Sequence, residues 1–232
     1  MKFFKSTLNI ISICFSIVSS LTLDLSSMSK LNQEAHVQDY TSGRIQISNN
    51  ILNIYMSPLD GDGNTGNSRL NGNRQRNEVS VTEPECVAKK YDTVKYEAQI
   101  YIPSDLNWNV PLVAWYHLFQ IKKWGMGRPV VTVGVKHNKL VLYRCENYNY
   151  IVIGNIEQYK NKWFKVEFIV DVNDDISVDY NLLGKSGNIM CKKYVNKSSN
   201  YIYMKMGQYR YYPNPIDNIV TVRYSSVKCT KS

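Results

Sequence analysis

Three segments carry the residue types that acid–base chemistry on an anion would require. The first is Asn73-Arg74-Gln75-Arg76-Asn77-Glu78-Val79-Ser80. On a strand, Arg74, Arg76, Glu78 and Ser80 point the same way. Guanidinium forks match a carboxylate, and Glu78 can fix one of them, so the row is either an anion clamp or a charged, solvated edge. The second is His117-Leu118-Phe119-Gln120-Ile121-Lys122. Gln120 and Lys122 share a face, and His117 falls on the opposite one unless a bulge intervenes. The third is Tyr201-Ile202-Tyr203-Met204-Lys205-Met206-Gly207-Gln208-Tyr209-Arg210. Tyr201, Tyr203, Lys205, Gly207 and Tyr209 form one row. That row either lines a groove with phenol and ammonium groups or covers an amphipathic strand.

The elements that must position these segments are strands. Tyr96, Ala98, Ile100 and Ile102 share a face, as do Val131, Val133 and Val135. Phe164, Val166, Phe168, Val170 and Val172 make the strongest period-two pattern. Ile176, Val178 and Tyr180 follow, then Val220, Val222 and Tyr224. β-branched and aromatic residues dominate these runs, and no long window has helical periodicity. Arg44 to Ser48 alternates, Asn49-Asn50 signals a turn, and Ile51 to Met56 is a short apolar run. Residues 61–67 are turn formers without period and read as a surface loop. Many short strands separated by turns mean a sandwich or barrel.

The chain has 232 residues, 44% hydrophobic and 20% charged, which fits one globular domain and excludes bulk disorder. Residues 1–20 read as a signal peptide: Lys2 and Lys5 precede a short apolar run, with cleavage near Ser20. The run is shorter than a membrane span needs. Residues 21–42 read as a linker or N-terminal arm, and 43–232 as the domain. The formal charge of +9 falls to +7 without Lys2 and Lys5. A basic secreted protein favours polyanions, here an acidic glycan, because the cations are scattered and no nucleic-acid fold signature appears. Cys86, Cys145, Cys191 and Cys229 remain after cleavage, and three pairings are open. Their spacing is too wide for a zinc site. Asp60, Asp62 and Asn64 suggest a Ca²⁺ loop but lack the downstream bidentate Glu, so no cofactor is expected. Asn196-Lys197-Ser198 is a glycosylation sequon.

Taken in order, RxRNE, HxFQIK and YxKxGxYR resemble the alginate lyase and glucuronan lyase group of polysaccharide lyases. These are families 7 and 20 of the carbohydrate-enzyme classification, to which the heparin lyase I type is related. The order is closest to family 20. Supporting text includes Lys162-Trp163-Phe164-Lys165-Val166 before a long strand and Asp217-Asn218-Ile219 before the last one. The resemblance spans residues 43–225.

The resemblance implies an all-β, concanavalin-like jelly-roll β-sandwich of two antiparallel sheets with a concave substrate groove. It implies a lyase that cleaves an anionic uronate polysaccharide by β-elimination; with the signal peptide and the scattered charges, the expectation is a secreted monomer with no nucleic-acid or membrane partner. The same fold without turnover would be a glycan-binding protein. Carried over, Arg76 and Gln120 would neutralise the substrate carboxylate, and Tyr209 would be the acid and a candidate base. Lys205 would hold substrate or depress the Tyr209 pKa, with Arg74, Glu78, Lys122, Tyr203 and Arg210 as further substrate contacts. Alginate lyases have Gln-Ile-His where this chain has Gln120-Ile121-Lys122. Three alternatives stay open: His117 acts through an irregular strand, Tyr209 is both base and acid, or catalysis is lost.

Overall fold

The computed structural model describes residues 18–39, 42–57, 74–104, 115–125, 129–145, 149–191, 201–211 and 219–232. Alternating runs become strands because each buries one side of a pleat. In chain order the strands are β1 (Ser19–Thr22), β2 (His36–Asp39), β3 (Ile45–Ser48), β4 (Ile51–Met56) and β5 (Arg74–Val81). Then come β6 (Thr93–Ile102), β7 (Trp115–Lys123), β8 (Pro129–Lys136), β9 (Lys139–Arg144) and β10 (Asn149–Asn155). The last are β11 (Lys162–Val172), β12 (Ile176–Leu182), β13 (Lys185–Cys191), β14 (Ile202–Tyr211) and β15 (Val220–Lys231). One short helix, α1 (Met28–Glu34), lies between β1 and β2, and its Ser27 side chain accepts the Lys30 N–H as an N-cap.

Two antiparallel sheets form the β-sandwich expected from the sequence. One runs β13-β12-β11-β6-β15-β4-β3, with β1 added on β15. The other runs β10-β9-β8-β7-β14-β5-β2. The β3–β4 hairpin turns at Asn49 and Asn50, both left-handed with φ of 53° and 58°. Asn tolerates that region better than most residues.

The core lies between the sheets. Tyr96, Ala98, Ile100 and Ile102 of β6 are wholly buried, as are Val166, Phe168 and Val170 of β11. Phe119 of β7 stacks on Phe168 across the interface, centroids 5.8 Å apart. Polar groups on the inner side of β5 and β14 bond to the facing sheet. The Gln208 side-chain amide donates to the carbonyls of Ile54 and Val220, and the Asn77 amide donates to Tyr55 O at 2.8 Å. These bonds tie the strands that carry the candidate site to the sheet behind them.

Residues 19–39 are part of the sandwich. β1 pairs with the end of β15, Ser19 and Ser20 included, and β2 pairs with β5. Leu31 of α1 is fully buried. The four cysteines form Cys86–Cys229 and Cys145–Cys191. The second bridge joins the end of β9 to the end of β13, and so fastens one sheet to the other. The turn formers at 61–67, the acidic loop with Asp60, and the sequon all lie outside the described residues. Among the described residues no helix is long and apolar enough to cross a membrane.

Candidate functional site

The three chemistry-bearing segments become β5, β7 and β14, and β14 lies between the other two. Register then decides which side chains meet. Tyr209 of β14 pairs with Arg76 of β5 on one side and with His117 of β7 on the other. Further along β14, Lys205 pairs with Ser80 and with Gln120. Both rows present their side chains on the outer face of the seven-stranded sheet. The inner face is taken by Val79, Phe119, Ile121, Met204 and Met206 of the core.

A bulge brings His117 to that face. Strict alternation would put it opposite Gln120, but the β14–β7 register shifts between Met206 and Tyr209. The β7–β8 register shifts at the same level, between His117 and Phe119. The extra residue lets Leu118 and Phe119 both turn inward, each essentially buried, so His117 joins the row of Gln120. Gly207 makes the partner strand fit. Its φ is +142°, and a Cβ there would come within 2.4 Å of Asn77 O. Only glycine meets both conditions without strain. Tyr224, reaching across from β15, fastens the bulge. Its hydroxyl accepts the Gly207 N–H at 3.1 Å and lies 2.8 Å from the carbonyl oxygens of Leu118 and Gly207, to either of which it can donate.

Glu78 is the hub of the polar half of the site. It is 1% exposed. Lys205 Nζ donates to its Oε2 at 2.8 Å, Gln120 donates to its Oε1, and Arg76 Nε lies 3.2 Å from Oε2. Lys205 also donates to Gln38 Oε1 of β2 at 2.7 Å. A buried carboxylate with three such partners is compensated, and it fixes the direction of each of them. Burial lowers the Lys205 pKa, Arg76 lowers it further, and Glu78 opposes both.

The aromatic half adjoins it. The Arg76 guanidinium sits 4.0 Å above the Tyr209 ring. It is thus Arg76, rather than Lys205, that rests on the phenol. His117 stacks on Trp115 at 4.5 Å and meets the edges of Tyr143 at 5.5 Å and Tyr209 at 5.9 Å. Burial in this aromatic cage, then repulsion from Arg76 and Lys122, pushes the His117 pKa down to about 3. The imidazole is therefore neutral at ordinary pH, and its buried Nδ1 has no hydrogen-bond partner among the described residues.

Lys122 and Tyr203 pair across β7 and β14 at the far end of the row. Burial, followed by Lys205 and Arg76, lowers the Lys122 pKa to about 8. Burial raises that of Tyr203 to about 12. Arg74 begins β5, and its side chain is not among the described groups. Arg210 is a correction. Expected among the substrate contacts, it is fully buried on the inner side of β14, with Nε bonded to Gln75 Oε1. It follows Tyr209 directly, so the pleat turns it the other way. Trp115, Tyr143 and Gln38 were not anticipated. Trp115 is two residues from His117, a spacing that signals a shared face. Gln38 was hidden in the segment read as linker or arm. Among the described residues no cluster of three or more His, Cys, Asp or Glu could hold a metal.

No protein-family model matches the sequence, and no curated protein matches it. Solved structures do. An endo-β-1,4-glucuronan lyase from the fungus Trichoderma reesei superposes with a TM-score of 0.60 at 17% identity, over 86% of this chain and 91% of that one. A family 7 alginate lyase, A1-II′, gives 0.60 at 12% identity, over 92% and 94%. The alginate lyase Aly36B gives 0.62 at 11% identity, over 93% and 97%. The chain thus shares the jelly-roll sandwich of these lyases.

Proposed function

We propose that this protein is a secreted polysaccharide lyase that cleaves a uronate-containing glycan by β-elimination, with a family 20-like site. The reading is supported chiefly by one row, Arg76–Tyr209–His117, on adjacent strands of a lyase-like sandwich. Elimination removes the proton from the ring carbon that bears the carboxylate and expels the glycosidic oxygen from the next carbon. Arg76 and Gln120 donate to the substrate carboxylate and stabilise the charge that develops as the proton leaves. His117, held neutral, accepts that proton. The bound carboxylate offsets the burial that disfavours imidazolium, since an opposite charge close by favours the charged form. The electron pair forms the ring double bond, the carbon–oxygen bond breaks, and Tyr209 protonates the leaving oxygen. Lys122 and Tyr203 contact the polymer further along, and Glu78 holds Arg76, Gln120 and Lys205 in place. Two disulfides fit secretion, because such bonds persist in oxidising compartments.

One observation favours a second reading, a glycan-binding protein without turnover. Arg76 and Gln120, the donors needed for the carboxylate, already engage Glu78. The two readings separate in one assay. Elimination creates an unsaturated uronate with new ultraviolet absorbance, and binding alone does not. Absorbance growth on alginate, glucuronan, heparin or hyaluronan is expected for the lyase. Retention on such a polymer with no absorbance change on any of them would leave only the binder.

A further inference from the structure

The opposite side of the sandwich carries a second constellation. On the outer face of the eight-stranded sheet, Trp163 of β11, Tyr101 of β6 and Arg223 of β15 lie in one register row. The Trp163 and Tyr101 rings are 5.4 Å apart and inclined at 51°. The Arg223 guanidinium lies 5.1 Å from the Tyr101 ring centre, so Tyr101 is flanked by an indole and a cation. Its hydroxyl donates to Asn161 Oδ1 at 3.2 Å, which steadies the ring. Tyr55 of β4 pairs with Thr221, two residues before Arg223, and so adds a third aromatic ring on the diagonal of the same face. Trp163 is 40% exposed, and Arg223 is exposed as well.

The charges on this face are unevenly matched. Lys95 and Lys165 are each tied to Glu167, at 3.0 and 2.8 Å. Arg223 has no carboxylate partner among the described residues, and its guanidinium fork is held over a ring beside an exposed indole. Flat aromatic faces accept the C–H side of a pyranose ring, and an unpaired guanidinium takes a carboxylate bidentately. A sugar acid presents both features in one residue.

We propose that Trp163, Tyr101 and Arg223 form a second binding surface for an acidic polysaccharide, separate from the candidate active site. The identity of the polymer rests on the lyase reading above. The two surfaces lie on opposite faces of the sandwich, so this one tethers the polymer and takes no part in cleavage.

Affinity electrophoresis in gels containing alginate or glucuronan, at constant salt, tests it. Wild type should be retarded, and Trp163→Ala and Arg223→Gln should each weaken retardation by roughly tenfold. Trp163→Phe should restore part of it. Both side chains are exposed, and Arg223→Gln removes only a surface contact with the Tyr101 ring and none with the core, so at least that variant keeps the fold, as circular dichroism would show. Turnover of a short oligouronide should be unchanged in both variants. Retardation equal to wild type in Arg223→Gln and Trp163→Ala would overturn the surface while leaving the lyase reading intact. Polymer binding that both variants lose, in a wild type that cleaves nothing, would uphold the surface and end the lyase reading. A wild type that is not retarded by either polymer would overturn the surface, whatever its activity.

Discussion

Tyr209 and His117 face each other across β14 and β7, rings 5.9 Å apart at 77°, although regular alternation would place His117 on the far side of its strand. The bulge that joins them is the feature on which the proposed chemistry turns. It also makes the chemistry testable at residues some distance from the substrate.

Tyr209→Phe should abolish turnover while leaving the fold and glycan binding nearly intact. The ring still packs under Arg76 and against Trp115. Only a proton-transferring oxygen is lost, and such groups contribute on the order of 10²–10⁴-fold in rate. Near-normal absorbance growth from this variant would move the acid role elsewhere, with His117 next in line.

Tyr224→Phe should damage the site from behind. The hydroxyl that serves Leu118 and Gly207 disappears, and buried backbone groups are left unsatisfied. That loss costs about 1–3 kcal/mol, readable in urea unfolding. Turnover should fall as well, because the bulge that aims His117 loses its brace. A variant less stable but fully active would show that the bulge needs no such support.

Acid stability should depend on His117. Its folded pKa is near 3, below the ordinary 6.5. Between those values the unfolded chain binds a proton that the folded chain refuses. Stability is therefore complete above pH 6.5 and is lost as pH falls toward 3. Every tenfold difference in proton affinity is worth about 1.4 kcal/mol, and because His117 keeps some exposure to solvent the loss is at most a few kcal/mol. His117→Phe should flatten the acid limb of the denaturation midpoint against pH. Parallel profiles for variant and wild type would refute this.

Binding to a polyuronate should weaken from pH 7 to pH 9. Lys122 loses its proton near pH 8 because burial, Lys205 and Arg76 disfavour its charge. Lys122→Met should bind more weakly at pH 7 and show little change up to pH 9. If wild-type affinity is level across that range, Lys122 does not contact the polymer.

Cys145→Ser together with Cys191→Ser should destabilise the fold by about 2–4 kcal/mol. The bridge closes 46 residues of sequence and links the two sheets at β9 and β13. Chemical denaturation of the double variant measures the loss. An unchanged midpoint would mean that the core alone holds that edge.

Much of this was legible in the residues. The alternation of Phe164 to Val172 and of Tyr96 to Ile102 fixes strands with one buried side, because the pleat repeats every two residues. Enough such strands make two sheets. The same parity places Gln120 with Lys122, and Tyr203 with Lys205 and Tyr209, before any fold is known. The order of the three motifs points to the lyase sandwich.

Other features needed the chain in three dimensions. The partner of Cys86 is Cys229, 143 residues away. Spacing carries no information about such a pairing, because it depends on which strands become neighbours. The pairing of β14 with both β5 and β7 is of the same kind. Trp163 and Arg223 flank Tyr101 only because β11 and β15 lie on either side of β6. His117 is the sharpest case. Its own strand's alternation sends it away from Gln120, and the reversal comes from Gly207 on another strand and Tyr224 on another sheet. Local sequence sets parity within a strand. A bulge is set by what the neighbouring strands and the facing sheet will accommodate, and that is decided only when they pack together.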